Sequence, residues 1–279
     1  MVNSAFCIVG TLLLVQCLGG CSKGMNRADR QEVLIETEPP VLKPVLQKVN
    51  DFIGGYYHAI PARYDENIAA GYPLLLFIHG GGQFGNGSYD LPLLLNEGIP
   101  QLLDEKKFPA RFEVNDIQHS FIVLIPQFNR VPDNSVISSF LDHAKKNYRI
   151  DTTRMYICGF SLGARIACDF SAEFADRLAA IVPISGVSNF LVNEKTKSIA
   201  KANLPVWAFH NQPDALFSAK DTREFMSQVS AFNPVILPRL TLFPDSTGIL
   251  GHDAWSKATD PAYKENNMNI YEWMLRFKR

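Results

Sequence analysis

The sequence predicts a single α/β domain, a mostly parallel sheet with helices on both faces, and three observations carry that prediction. Short apolar runs without polar alternation recur along the chain, as strands covered on both faces require. Stretches with helical spacing of apolar residues separate several of these runs, the rhythm of strands joined by crossover helices. The chain has 279 residues, 47% of them hydrophobic, enough for one large core and too few for two full domains behind a leader.

The elements follow in order. Residues 1–21 form an expected leader, nearly uncharged from Ala5 to Leu18 and too short and Gly-terminated for a membrane span. Its end, Leu18-Gly19-Gly20-Cys21, resembles the lipobox of bacterial lipoproteins. That resemblance implies lipid attachment at Cys21 and membrane anchoring of an exported protein, with plain secretion as the alternative. Residues 22–49 are polar, punctuated by Pro39, Pro40 and Pro44, and read as a tether, which leaves 50–279 as the folded domain. Within it Gly54 to Ile60 reads as the opening strand, with Gly71 and Pro73 marking a turn. Buried strands are expected at Leu74–His79, Phe121–Pro126, Met155–Phe160, Ala180–Ser185 and Val206–His210, with a later strand at Leu240–Phe243. Helices are expected around Val136, Ile137, Phe140, Leu141 and Ala144, over Ala164–Phe174, and at the end around Ile270, Met274 and Phe277. The stretch from Ser185 to Leu204 is too short for a lid domain.

Charge and cysteine content exclude some functions. With 27 Lys and Arg against 28 Asp and Glu the formal net charge is −1, so no basic stripe recommends nucleic acid as a partner. Of five cysteines, Cys7, Cys17 and Cys21 fall in the leader. Cys158 and Cys168 remain, one on an expected buried strand and one on a helix, and both read as small core residues rather than a disulfide framework.

The chemistry concentrates in two glycine-rich loops and two late residues. Gly159-Phe160-Ser161-Leu162-Gly163 is a G-x-S-x-G pattern set between an expected strand and an expected helix. A sharp strand-to-helix turn leaves no room for side chains two residues either side of its tip, so the glycines hold Ser161 exposed as a nucleophile. His79-Gly80-Gly81-Gly82 follows the Leu74–Ile78 run at the carboxyl end of a strand, where open α/β sheets bind ligands. An amide near Gly81 or Gly82, with that of Leu162, is the expected oxyanion hole. Of the six histidines only His210 and His252 follow the serine. His210 ends a strand just ahead of Pro213 and reads as a turn residue, which leaves His252, in a loop beyond Leu240–Phe243, as the base. Asp214, after Val206–Phe209, is the expected acid; its rivals are Asp221, a helix-start residue, Asp245, before a turn, and Asp253, too near the base in sequence. His79, Gln83, Gln127 and Trp255 are the candidate substrate contacts.

Together these residues resemble the polyhydroxybutyrate-depolymerase-like and feruloyl- or acetylxylan-esterase-like branch of the α/β-hydrolase superfamily. The resemblance covers nearly all of 54–279 and lies in Tyr72–Gly85, Asn96–Leu103, Pro126 with Gln127, the elbow, Gly251–Trp255 and Tyr271–Leu275. The chain departs from the pattern at Asn211, where the branch has glycine, in the longer stretch Asp245–Gly251, and at Ala164 and Arg165 after the elbow. The resemblance implies a single-domain α/β-hydrolase without a large cap, acting as a serine esterase on acyl groups of carbohydrate or a related polymer, with no cofactor and no metal. A peptidase, a lysophospholipase or thioesterase of the same fold, and a non-catalytic glycan-binding surface lipoprotein are the competing readings. The intact order Ser161, Asp214, His252 argues against the last.

Overall fold

The computed structural model describes residues 34–68, 71–187, 193–245 and 247–279. The leader, Cys21 and the first part of the expected tether lie outside the described residues. Strands β1 (Val41–Val45), β2 (Ile53–Ile60) and β3 (Tyr72–Ile78) are followed by a short hairpin of β4 (Phe112–Val114) and β5 (Ile117–His119). Strands β6 (Ile122–Phe128), β7 (Ile150–Phe160), β8 (Ala180–Ile184), β9 (Trp207–Asn211) and β10 (Arg239–Phe243) complete the set. Eight of these strands form one sheet in the order β1-β2-β6-β3-β7-β8-β9-β10. β1 and β2 run antiparallel to their neighbours, and all pairings from β6 to β10 are parallel.

The apolar runs explain the middle of the sheet. Every residue of β3 and of β6 is buried, as strands covered on two faces must be. The pleat then divides them: Leu74, Leu76 and Ile78 join one hydrophobic cluster while Leu75 and Phe77 join another. The first cluster takes in α2 (Asn134–Asn147) through Val136, Ile137, Phe140, Leu141 and Ala144, together with α3 (Leu162–Phe174). α1 (Gly98–Asp104), α6 (Trp255–Ala258) and α7 (Ile270–Leu275) lie on the other side. α4 (Asn193–Lys201) and α5 (Ala219–Ala231) extend the first layer through Ile199, Phe225, Met226 and Val229. Cys158 and Cys168 sit buried and unpaired within this packing, and burial pushes both thiols up, which keeps them protonated.

The structure adds a strand to the sequence reading. Val41–Val45 lies inside the stretch read as tether, yet it pairs along its whole length with β2, from Val41 opposite Ile60 to Val45 opposite Tyr56. The strand is at the sheet edge and largely exposed, so it has no apolar run to betray it, and Pro44 is tolerated there as it would not be in the centre. Pro183 is the central exception. β8 pairs continuously with β7, whereas toward β9 it makes only the Ile184–Phe209 pair and the isolated Ile181–Val206 bridge, so the missing N–H of Pro183 falls where the ladder is already broken. Among the described residues no helix is long and apolar enough to cross a membrane.

Candidate active site

The strand β7 ends at Phe160 and α3 begins at Leu162, so Ser161 alone makes the turn between them. Its backbone sits at φ 53°, ψ −124°, a conformation that costs a non-glycine residue about 1–3 kcal/mol and must be imposed by its surroundings. The surroundings are specific. A Cβ on Gly159 would meet the carbonyl of Gly163 at 2.5 Å, and one on Gly163 would overlap the Ile78 carbonyl of β3. The Ser161 amide is held by the Ile184 carbonyl of β8 at 2.8 Å. Sheet and helix together therefore fix the hydroxyl at the carboxyl end of the strands.

Three residues far apart in sequence meet there. His252 Nε2 lies 2.9 Å from Ser161 Oγ, and His252 Nδ1 lies 2.7 Å from Asp214 Oδ2. A carboxylate can only accept, so Nδ1 carries the proton and donates to Asp214, leaving Nε2 free to accept from the serine hydroxyl. Asp214 Oδ1 accepts from the backbone amides of Leu216 at 2.9 Å and Phe217 at 3.0 Å, which locks the carboxylate in the loop after β9. Its side chain is wholly buried. The Phe217 ring stacks on the imidazole at 5.3 Å, and Trp255 meets it edge-on at 5.1 Å. The ring of His252 is thereby oriented on two sides by hydrocarbon and at one nitrogen by charge.

The rival carboxylates are engaged elsewhere. Asp221 sits in the first turn of α5, Asp245 pairs with Lys257, and Asp253 accepts from the Ser256 amide and hydroxyl at the start of α6. His210 corrects the sequence reading, which made it a turn residue. It is the fully buried fourth residue of β9, with Nε2 3.0 Å from the Phe217 carbonyl and 3.1 Å from Asp214 Oδ2, and Nδ1 2.7 Å from Thr222 Oγ1. Nε2–H thus donates to the Phe217 carbonyl beside the carboxylate that holds His252, and Thr222 donates to Nδ1. Burial lowers the pKa of His210, so it does this as a neutral ring. Nothing local in the sequence marks this contact, because it depends on the strand-to-loop reversal that returns Asp214 against His210.

The glycine loop lies opposite. Residues Gly81–Gln83 form a tight helical turn, and Gly80, Gly81 and Gly82 line the same 340 Å³ cavity as Ser161, His252 and Trp255. The Leu162 amide is the first of α3 and has no partner within that helix. Amides of the glycine turn and of Leu162 therefore border one cleft.

Three of the four proposed substrate contacts do not line that cleft. His79 is buried beneath the loop, its Nδ1 donating to the Gly80 carbonyl at 2.8 Å and its Nε2 accepting from the Phe128 amide at 3.1 Å; burial depresses its pKa to about 4. Gln83 accepts from the Gly80 amide and donates to the Leu93 carbonyl. Gln127, fully buried, accepts from the Gly87 amide and donates to the carbonyls of Gln83 and Asp90. Their polar groups are used up in holding backbone of the glycine loop and the segments beside it, so they build the loop rather than meet a ligand. Trp255 does line the cleft. Glu97, Phe160, Leu216 and Ile249 line it as well, and the sequence reading did not single them out as site residues.

Sheet order, the strand-to-helix turn at Ser161 and the aligned serine, histidine and aspartate define an α/β-hydrolase fold. The chain belongs more narrowly to the dienelactone hydrolase family, whose model matches residues 99–274. Over 129 residues, 43% of this chain, it is 30% identical to the bifunctional acetylxylan esterase/xylanase XynS20E of Neocallimastix patriciarum, of which it spans only 18%. Among solved structures it is similar to a thermostable esterase, at 20% identity and a TM-score of 0.57, covering 88% of this chain and 64% of that one. It is also similar to FphF, a fluorophosphonate-binding serine hydrolase of Staphylococcus aureus, at 15% identity and a TM-score of 0.58, covering 85% and 99%. At these identities the solved structures speak to the fold.

Proposed function

We propose that the chain hydrolyses carboxylic esters through a covalent acyl-serine, with Ser161 as nucleophile, His252 as general base and Asp214 as its orienting acid. The observation that carries this reading is the continuous hydrogen-bonded line from Ser161 Oγ through His252 to Asp214, at 2.9 and 2.7 Å, on a strained turn facing a cavity. His252 Nε2 takes the hydroxyl proton as Oγ attacks the ester carbonyl carbon. The carbonyl oxygen becomes an oxyanion and is met by the amides of Leu162 and of Gly81 or Gly82, at the start of a helix whose dipole favours negative charge. The imidazolium, stabilised by Asp214, then gives its proton to the departing alkoxide. Water enters, His252 takes its proton, the hydroxide attacks the acyl-enzyme, and the acid leaves as Oγ regains its proton.

The alcohol portion we assign to carbohydrate or a related polymer. The similarity to a protein described as an acetylxylan esterase/xylanase supports this assignment, and among the described residues α4 is the one helix between β8 and β9. Hydrolysis of a small activated acetate ester by residues 22–279, alongside Ser161→Ala, tests the reaction. The expected result is turnover that falls by about 10⁴-fold or more in the variant. Equal turnover in both proteins would refute the assignment.

A further inference from the structure

The cleft beside Ser161 carries one more group whose chemistry the reaction above does not use. Glu97 lines the cavity with Gly80–Gly82, Ser161 and His252. It occupies the N-cap position of α1 with extended backbone, φ −150°, ψ 151°, yet its side chain caps no amide. Among the described residues its carboxylate forms no hydrogen bond and no ion pair. The next residue, Gly98, sits at φ 65° with space for a Cβ only 3.0 Å from the Phe77 ring, so the turn that aims Glu97 is fixed from below. A carboxylate at a helix start ordinarily turns back to the free amides; this one faces the cleft instead.

Among the described residues no lysine or arginine lines the rest of the wall. Phe160, Leu216, Ile249 and Trp255 supply hydrocarbon, and Asp253 supplies a second carboxylate. Asp253 is tied to Ser256 at the start of α6, which leaves Glu97 as the free acid. Partial burial and the nearby Asp253 raise the Glu97 carboxyl above its ordinary range, with His252 opposing them. Low-dielectric walls focus such a charge onto whatever occupies the space between them.

We propose that Glu97 is the charge-selecting residue of the cleft: it admits neutral and cationic esters and disfavours esters bearing a negative charge near the scissile bond. Hydroxyl-rich alcohols fit the same chemistry, because a carboxylate accepts from sugar hydroxyls and cannot donate to an anion. The inference rests on the esterase reading for its substrate. It assigns no role in the bond-breaking steps.

The test uses meta-substituted phenyl acetates that carry a carboxylate, a tert-butyl group or a trimethylammonium group, compared at pH 8, with hemisuccinate and butyrate esters of nitrophenol for the acyl side. Intrinsic reactivity cancels when each substrate's kcat/KM is taken as a ratio to the neutral one and compared between the wild type and Glu97→Gln. Removing a charge within several ångströms of another in a half-screened cleft is expected to shift these ratios by about ten-fold, toward the anion and away from the cation. Glu97→Lys should carry the shift further in the same direction. Unchanged ratios in both variants, with turnover retained, would overturn the proposal. Binding of the three product phenols to the Ser161→Ala protein, followed by NMR titration, reads the same selectivity without catalysis. A wild type inactive on every ester would sink the esterase reading alone, while this titration would still show whether Glu97 sorts ligands by charge, and equal affinities with and without Glu97 would contradict the proposal.

Discussion

Ser161 is held by its neighbours in a conformation it would not choose, and His252 is held by Asp214, Phe217 and Trp255 in the one orientation that meets it. His210 stands a step behind. Its Nε2–H donates to the Phe217 carbonyl at 3.0 Å and lies 3.1 Å from Asp214 Oδ2, so it braces the turn that presents the carboxylate to His252. His210→Gln is therefore expected to lower kcat about ten-fold with little change in KM, because the contact steadies the group that stabilises the imidazolium rather than the substrate. A steady-state comparison checks this, and an equal fall in KM and kcat, or none in either, would contradict it. The sequence revealed Ser161, Asp214 and His252 as a meeting group because each follows a strand end, and strand ends of a parallel sheet converge. It did not reveal His210, Glu97 or Phe217, whose roles come from side-chain direction. It read His79, Gln83 and Gln127 as substrate contacts where the structure has them buried against backbone, since a buried amide or imidazole that holds backbone has the same letters as one that holds a ligand.

The loops that bring Asp214 and His252 together are stitched to each other. Asn211 Nδ2 donates to the Gly251 carbonyl at 2.9 Å, and the Ala215 amide donates to the Leu250 carbonyl at 3.0 Å. The stretch before His252 is long and turns through positive φ at Gly248, Leu250 and Gly251, so it needs such tethers. Asn211, a departure from the branch the sequence resembles, coincides with that lengthened loop and fastens it. Asn211→Ala is expected to reduce kcat/KM by about three- to ten-fold and to speed amide hydrogen exchange over residues 247–253 while leaving exchange in β3 and β6 unchanged. Unaltered exchange in that loop would show the tether to be idle. Elements with two buried faces were legible, their ends within a few residues. β1 and the β4–β5 hairpin were not, because edge and surface strands bury too little to impose a pattern.

At the scale of the molecule, the sheet acts as a platform with hydrophobic clusters on both faces and the reactive groups at one end. That burial has a consequence for acid stability. Desolvation lowers the pKa of His58, His79, His119, His143 and His210, with His79 reaching about 4 against an ordinary 6.5. The unfolded chain then binds more protons than the fold below pH 6.5, so the stability these groups confer is present above that pH and is lost as pH falls toward 4. His79 alone corresponds to about 3 kcal/mol over that window. Urea midpoints measured from pH 7.5 to 4.5 should decline steeply below 6.5, and a flat profile would contradict the burial assigned to these rings. That the sheet is mostly parallel was readable from the chain, because apolar runs without alternation, separated by helical stretches, are strands buried on both faces and joined by crossovers; the strand order was not. The antiparallel strand outside β2 depends on a segment whose composition resembles a linker. The most direct test of the central claim is to trap the intermediate with a slowly released aryl ester or a phosphonate and locate the adduct by peptide mass spectrometry. One acyl or phosphonyl group per chain, on the peptide containing Ser161 and absent from Ser161→Ala, is the predicted result; turnover without an adduct at Ser161, or an adduct on another residue, would contradict it.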